Sequence, residues 1–188
     1  MPSLHVPERA VKANIQANEL EGRDVQLAHY TTRFNSGLAG RTENLRIACR
    51  AIQNHVLMPG ETFSFNGCTG ERTVDKGYRM AHIFMRQPGA AESEVVDGLA
   101  GGVCQVSSTL FNAVRKTNAE AEVNPLKIVE RTSHSLPVTY VPRGLDATVA
   151  WPYKDFKFRN VAAYPVYVQT RMGASNLTIS IWGRIPNV

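Results

Sequence analysis

The sequence predicts an α+β domain, a largely antiparallel sheet packed against one or two main helices, with a cysteine at the N-terminus of one of them. Two segments repeat apolar residues at helical spacing, while the remainder breaks into short runs of β-branched and aromatic residues bounded by Pro, Gly or Asn. Helices and strands do not alternate as βαβ units, which favours segregated α+β packing over a parallel sheet. A chain of 188 residues fits one domain of ordinary size and can bury a core without disulfide or metal staples.

Residues 7 to 20 (PERAVKANIQANEL) hold helix formers and read as an amphipathic helix or arm, so residues 1–24 are set apart from a domain at 25–188. VQLAHYTTRF, 25 to 34, has the content of a strand and is followed by the turn-rich NSGLAG. From Arg41 to Val56 the residues Leu45, Ala48, Cys49, Ile52 and Val56 mark one buried helical face, which makes Cys49 a core thiol. Pro59-Gly60 is a turn, Glu61 to Asn66 alternate as a strand, and Cys68 follows between glycines. Strands are expected around Tyr78 to Met85 and Ser93 to Val96, joined by a Pro88-Gly89 turn.

After GLAGG a helix begins near Cys104 and runs to about Thr117, with Val106, Leu110, Ala113 and Val114 on its apolar face. EVNPLKIVER, LPVTYV, DATVAW, FKFRN, YPVYVQT and LTISIWG then read as strands. There are no internal repeats and no low-complexity tracts.

The formal charge is +5, and residues 101 to 188 hold all of the excess, with 10 Lys+Arg against 5 Asp+Glu. That half favours anionic partners. Without interleaved aromatics or a known module it does not indicate nucleic acid. No stretch approaches the roughly 18–20 apolar residues of a membrane span. MPSLHVPERAVK lacks the apolar core of a signal peptide, so the chain is expected to be either cytosolic or the trimmed soluble part of something longer. Three cysteines without a CxxC pair support neither a disulfide framework nor a zinc site, and Cys68 with His82 lacks zinc-ligand spacing. No metal and no cofactor are expected.

Cys104 is the residue placed for chemistry. Unpaired N–H groups and the dipole in the first turn of a helix favour a thiolate, the nucleophilic form of cysteine. Gly98, Gly101 and Gly102 permit close approach of a substrate backbone, and the amides of Cys104 and Gln105 offer an oxyanion site. An unreactive buried thiol at a glycine-rich helix start is the competing reading. A thiol nucleophile needs a base, usually histidine, oriented by a carboxylate or carbonyl. His5, His29, His55 and His82 read as structural or solvent-exposed. His134 differs, because it lies in TSHSLPV, a polar turn entering a strand, with Asp146 opening DATVAW. Cysteine, histidine and aspartate in that order also occur in papain-like and transglutaminase-like thiol enzymes, an analogy of arrangement. The alternative is a turn histidine and a turn-stabilising carboxylate, with Asp155 a weaker partner than Asp146. Ser107 and Ser108 read as capping, packing or substrate-bonding hydroxyls.

GGVCQVSSTLFNAV, ERTSHSLPVTYVPRGLDATV and DFKFRN, preceded by RTENLRIACRAIQNHVLMPGETFSFN and ERTVDKGY, resemble the VanW family over roughly residues 28 to 183. Several long motifs in order make the resemblance specific. The family takes its name from glycopeptide-resistance gene clusters, and some members are regarded as L,D-transpeptidases of bacterial peptidoglycan with the GGVCQ cysteine as nucleophile. The resemblance implies that Cys104 attacks the third residue of a tetrapeptide stem and expels D-alanine, leaving a thioester. A neighbouring stem's amine then takes the acyl group, or water does in a carboxypeptidase variant.

In that scheme His134 is base and then acid, and Asp146 orients it. The resemblance also implies peptidoglycan stem peptides or precursors as partners, an extracytoplasmic location, and cations for the stem carboxylates, with Arg131, Arg143 and Arg159 as candidates. QPGAAESEVVDG is longer than a compact hairpin needs. Two other functions fit the same residues: a cell-wall peptide or precursor binding module without chemistry, associated with glycopeptide resistance, and a thiol peptidase or amidase acting on another amide.

Overall fold

The structure is a computed structural model that describes residues 22–85 and 94–187. The expected arm falls almost wholly outside the described residues, as do His5, the Pro88-Gly89 turn and Ser93; Arg23 and Asp24 already belong to the first strand.

The fold is α+β with antiparallel pairing throughout. Strand β1 (Arg23–Arg33) leads to helix α1 (Ala39–Ile52), then β2 (Val56–Leu57), β3 (Thr62–Ser64) and the short α2 (Phe65–Thr69). Strands β4 (Met80–Met85) and β5 (Glu94–Leu99) precede the long helix α3 (Val103–Glu120). Four strands follow: β6 (Leu126–Glu130), β7 (Lys157–Asn160), β8 (Val166–Met172) and β9 (Asn176–Ile185). They build a four-stranded sheet ordered β1-β9-β8-β2, a three-stranded sheet ordered β3-β7-β6, and the β4-β5 hairpin.

Alternation along the strands decides which face each sheet buries. Leu177, Ile179 and Ile181 of β9, with Val166 and Val168 of β8, turn inward, while Tyr167 and Trp182 stack on the outer face at 6.2 Å. The second sheet contributes a ring cluster in which Phe63 stacks on Phe158 at 4.9 Å and Phe156 meets Phe111 of α3 edge-on at 5.6 Å. Helix α3 therefore has apolar partners on opposite sides and is buried around most of its circumference, wider than the single stripe expected of a surface helix. Its polar residues pair internally, as where Thr109 meets Thr32 of β1 hydroxyl to hydroxyl at 2.8 Å.

Local chemistry moves several boundaries from their sequence-based positions. Helix α1 stops at Ile52 because Asn54 adopts a left-handed φ of 57° and donates its N–H to Val168 O at 2.8 Å, which frees Val56 for β2. Strand β3 ends at Ser64, whose hydroxyl accepts the Gly67 N–H at 2.8 Å and starts α2, so Cys68 sits in a helical turn. Tyr78 precedes β4 and is buried, not part of the strand.

LPVTYV and DATVAW are not strands. Pro137 and Pro142 supply no N–H, and the second segment makes only the bridges Thr132 to Thr148 and Ala150 to Lys154. Its backbone is engaged by α3 side chains instead, which positions the candidate site.

Candidate active site

The site starts at the helix α3 N-terminus. Ala100 has φ 64° and Gly102, the N-cap, φ 108°, a turn that places Cys104 in the first helical turn. Gly101 must lack a side chain, because a Cβ there would lie 2.5 Å from His82 O and 2.6 Å from Ala81 O. Buried Asn44 of α1 locks this loop: its amide donates to Arg79 O and Gly101 O, both at 2.9 Å, and its oxygen accepts the Arg79 N–H at 2.8 Å. Asn44→Leu leaves those backbone groups unpaired in the interior. We expect it to cost about 1–3 kcal/mol, read as a lower urea midpoint, with Cys104 alkylation slowed as the loop loosens.

A second segment crosses the same helix end. Asn112 donates to Leu145 O at 2.6 Å, the Ser108 hydroxyl accepts the Ala147 N–H at 2.9 Å, and Val149 brackets the Cys104 sulfur with O at 3.4 Å and N at 3.5 Å. Asp146 is thereby fixed beside α3. One oxygen of its carboxylate takes both the His134 backbone N–H and the His134 Nδ1, each at 2.6 Å. With Nδ1 engaged by Asp146, the ring lies close enough to Cys104 for the two side chains to shift each other's ionisation. Arg131 completes the support, donating to Asp146 O and Gly144 O at 2.7 Å and lying 4.7 Å over the Phe111 ring.

Cys104, His134 and Asp146, the first and last of them 42 positions apart in the chain, are brought together as one relay. Burial disfavours the Cys104 thiolate more than any other single influence. The hydrogen bond and charge of His134, the Val149 backbone and the charge of Arg72 together outweigh it and hold the thiol below its ordinary value. Burial likewise disfavours the His134 cation, and its bonds to Cys104 and Asp146 prevail, raising it. Each group's shift thus favours its charged form, toward a thiolate beside an imidazolium.

Cys68 has a histidine nitrogen of its own beside it, His55 Nδ1 at 3.5 Å, yet neither it nor Cys49 is lowered. Burial pushes Cys49 up to about 12, and burial with the Asp155 charge pushes Cys68 up to about 11. Iodoacetamide at neutral pH should modify one of the three cysteines, Cys104. Its rate should rise with a midpoint below the free-cysteine value of about 8.5 and then stay flat. Peptide mapping across pH checks both expectations, and His134→Ala should move the midpoint upward.

The half-buried Cys104 opens on a cleft of about 1190 Å³ between the β4-β5 hairpin, the start of α1 and the 137–140 loop. Gly101, Gly102 and His134 line it. Several expected residues do other work. Ser107 and Ser108 are fully buried and bond Cys104 O and Ala147, so they pack the helix and do not face substrate. The Gln105 N–H donates to Gly102 O at 2.8 Å, and its buried side chain joins Arg41 to Thr32 and Arg33.

Among the described residues no backbone acceptor outside the helix takes the Cys104 N–H. Arg143 and Arg159 lie outside the cleft, exposed, with Arg159 donating to Gly60 O at 2.8 Å. Asp155 caps α2 through Ser64 and the Asn66 N–H and does not meet His134.

His29 is exposed on β1, His55 stands edge-on to Phe63 at 5.3 Å, and His82 pairs with Asp97 at 2.8 Å on the hairpin. Among the described residues no cluster of His, Cys, Asp and Glu is suited to a metal ion. None of their helices is long and apolar enough to cross a membrane.

Sequence reasoning missed Asn44, Arg41, Arg72 and Tyr140. Tyr140 lines the cleft, hydrogen-bonds Ser108, and has the Arg41 guanidinium 6.0 Å from its ring. Burial and the nearby Cys104 charge raise its pKa, which keeps the phenol protonated. The helix and loop contacts that gather these residues join distant parts of the chain, and no local motif marks them.

The family described as VanW like protein matches residues 40–182. "Uncharacterized protein YoaR" of Bacillus subtilis (strain 168) is 39% identical over 180 residues, 95% of this chain and 55% of that protein. "Vancomycin B-type resistance protein VanW" of Enterococcus faecalis (strain ATCC 700802 / V583) is 29% identical over 122 residues, 62% of this chain and 40% of that protein. The chain thus spans about half the length of the curated relatives it matches. No solved structure matches it.

Proposed function

The chain belongs to the VanW family, and from that premise we propose that it is a cysteine-dependent acyltransferase acting on peptidoglycan stem peptides, of the L,D-transpeptidase type. The observation that carries the proposal is the Cys104–His134–Asp146 relay at a helix N-terminus in an open cleft. The opposed shifts within the relay favour what thiol acyl transfer uses: an ionised nucleophile and a protonated acid.

The Cys104 thiolate attacks the carbonyl carbon of the third stem residue. The resulting oxyanion faces the Cys104 N–H and the positive end of α3. The C–N bond breaks as His134 gives its proton to the departing D-alanine nitrogen, leaving a thioester on Cys104 and a neutral imidazole. An amine from a second stem attacks the thioester and passes a proton to His134. A 3-3 amide forms and the thiolate–imidazolium pair is restored. Water in place of the amine gives a tripeptide acid.

The test is incubation of the purified protein with disaccharide-tetrapeptide and analysis of products by mass. Released D-alanine with a cross-linked dimer supports transpeptidation, and D-alanine with tripeptide alone supports carboxypeptidase action. Saturable binding without D-alanine release contradicts the acyl-transfer reading and leaves a peptide-binding module. Because thiolate is needed for attack and imidazolium for departure, the rate should be bell-shaped in pH. Its acid limb should follow the lowered Cys104 value and its basic limb the raised His134 value.

A further inference from the structure

The cleft around Cys104 carries more positive charge than its own carboxylates balance. Arg41 packs against the N-terminus of α3, where a Cβ on Gly102 would lie 2.9 Å from its Cγ and 3.3 Å from one guanidinium nitrogen. A cation at the positive end of a helix dipole is repelled unless an anion joins it. Arg41 Nη2 donates to Gln105 Oε1 at 2.8 Å, and Gln105 is anchored in turn on Thr32 and Arg33 O.

Arg72 also lines the cleft, over the Phe65 ring at 5.9 Å, with Nη2 donating to Asn66 Oδ1 at 2.7 Å. Its Nη1 is buried and has no hydrogen-bond partner. Both guanidinia line the cleft and feel the Cys104 charge, and among the described residues neither forms a salt bridge.

Buried guanidinium without a carboxylate partner is costly, and an orphaned N–H on it adds to that cost. The relay does not neutralise these cations, because the Cys104 and Asp146 charges already face His134 and Arg131. The other cleft carboxylates, Glu71 and Asp97, are exposed, and Asp97 is paired with His82 at 2.8 Å. An anion entering the cleft would meet two guanidinia that lack a carboxylate partner among the described residues.

We propose that Arg41 and Arg72 form a two-cation site for the free C-terminal carboxylate of the peptide that Cys104 attacks, which confines the enzyme to bonds one residue from a chain end. The inference rests on the acyl-transfer reading for the identity of the peptide. Its geometry follows from covalent dimensions: three bonds separate the attacked carbonyl carbon from the carboxylate carbon of the departing residue, so the two lie within about 4 Å. A cation flanking the sulfur is therefore within reach of that carboxylate, and its charge-assisted bonds set the scissile carbonyl against the thiolate.

The test uses the full chain carrying Cys104→Ala, so that binding is read without chemistry. Calorimetry compares a tetrapeptide stem ending in a free acid with the same stem ending in a carboxamide, which leaves every other carboxylate in place. The acid should bind about tenfold or more tightly than the amide. Adding Arg41→Gln or Arg72→Gln should weaken acid binding toward the amide value and leave amide binding within about twofold. Arg72→Lys, which keeps the charge and loses the fork, should fall between.

Equal binding of acid and amide, binding of neither, or a parallel loss of both in the folded arginine variants overturns the proposal. The two claims fail separately. Acid preference together with an unmodified Cys104 in the unaltered protein sinks acyl transfer and keeps the anion site. Acylation at equal rates from acid and amide does the reverse.

Discussion

Cys104→Ala should abolish D-alanine release and cross-link formation, a loss of at least about 10⁴-fold, with the fold intact. The side chain is half-buried and its sulfur contacts are the Val149 backbone and the His134 ring. Alanine therefore removes the attacking atom and little packing. Circular dichroism and the urea midpoint should stay close to those of the unaltered protein. Cys104→Ser separates nucleophilicity from hydrogen bonding: serine keeps a donor toward Val149 O, yet its hydroxyl ionises far above neutral pH, and it should be nearly as inactive. Cys49→Ala and Cys68→Ala, made singly, should retain acyl transfer, because neither thiol belongs to the relay and burial holds both protonated.

Asp146→Asn should lower acyl transfer by about 10³–10⁴-fold without removing the nucleophile. The carboxylate receives two donors from one residue, the His134 N–H and Nδ1, both at 2.6 Å, and that double contact fixes both the tautomer and the direction of the ring. An amide in its place can turn its NH₂ toward Nδ1, leaving the proton on the nitrogen that should accept from the thiol. The Cys104 thiol then rises toward its ordinary value, and the iodoacetamide profile moves alkaline with it. A purely structural role for Asp146 predicts a fall in the urea midpoint with an unmoved alkylation profile.

The main elements were legible because their signals are periodic. Leu45, Ala48, Cys49 and Ile52 place α1, Val106, Leu110, Ala113 and Val114 place α3, and the alternating runs near 126, 157, 166 and 177 become β6 to β9. The failures share one cause. LPVTYV and DATVAW have strand composition, yet side chains of α3 bond the backbone of the second, a tertiary competition that local pattern does not express. The three residues that the structure gathers, Cys104, His134 and Asp146, were legible because each sits at a local landmark: a glycine-led helix start, a polar turn, a strand-like onset.

The cations that line the cleft were not legible for the complementary reason. Arg143 and Arg159 are near the right residues in sequence and outside the cleft in space, whereas Arg41 and Arg72 come from distant segments brought in by α1 and α2. Of the two amides expected to face an oxyanion, that of Gln105 closes the turn, and its side chain anchors Arg41.

The most direct test of the account is the intact mass of the protein after brief exposure to disaccharide-tetrapeptide, quenched in acid to preserve thioesters and followed by peptide mapping. The account predicts an adduct of the stem lacking its terminal D-alanine, carried by the peptide containing Cys104, removed by hydroxylamine and absent from Cys104→Ala. No adduct on a folded protein whose Cys104 alkylates readily at neutral pH, or an adduct on Cys49 or Cys68, would contradict it.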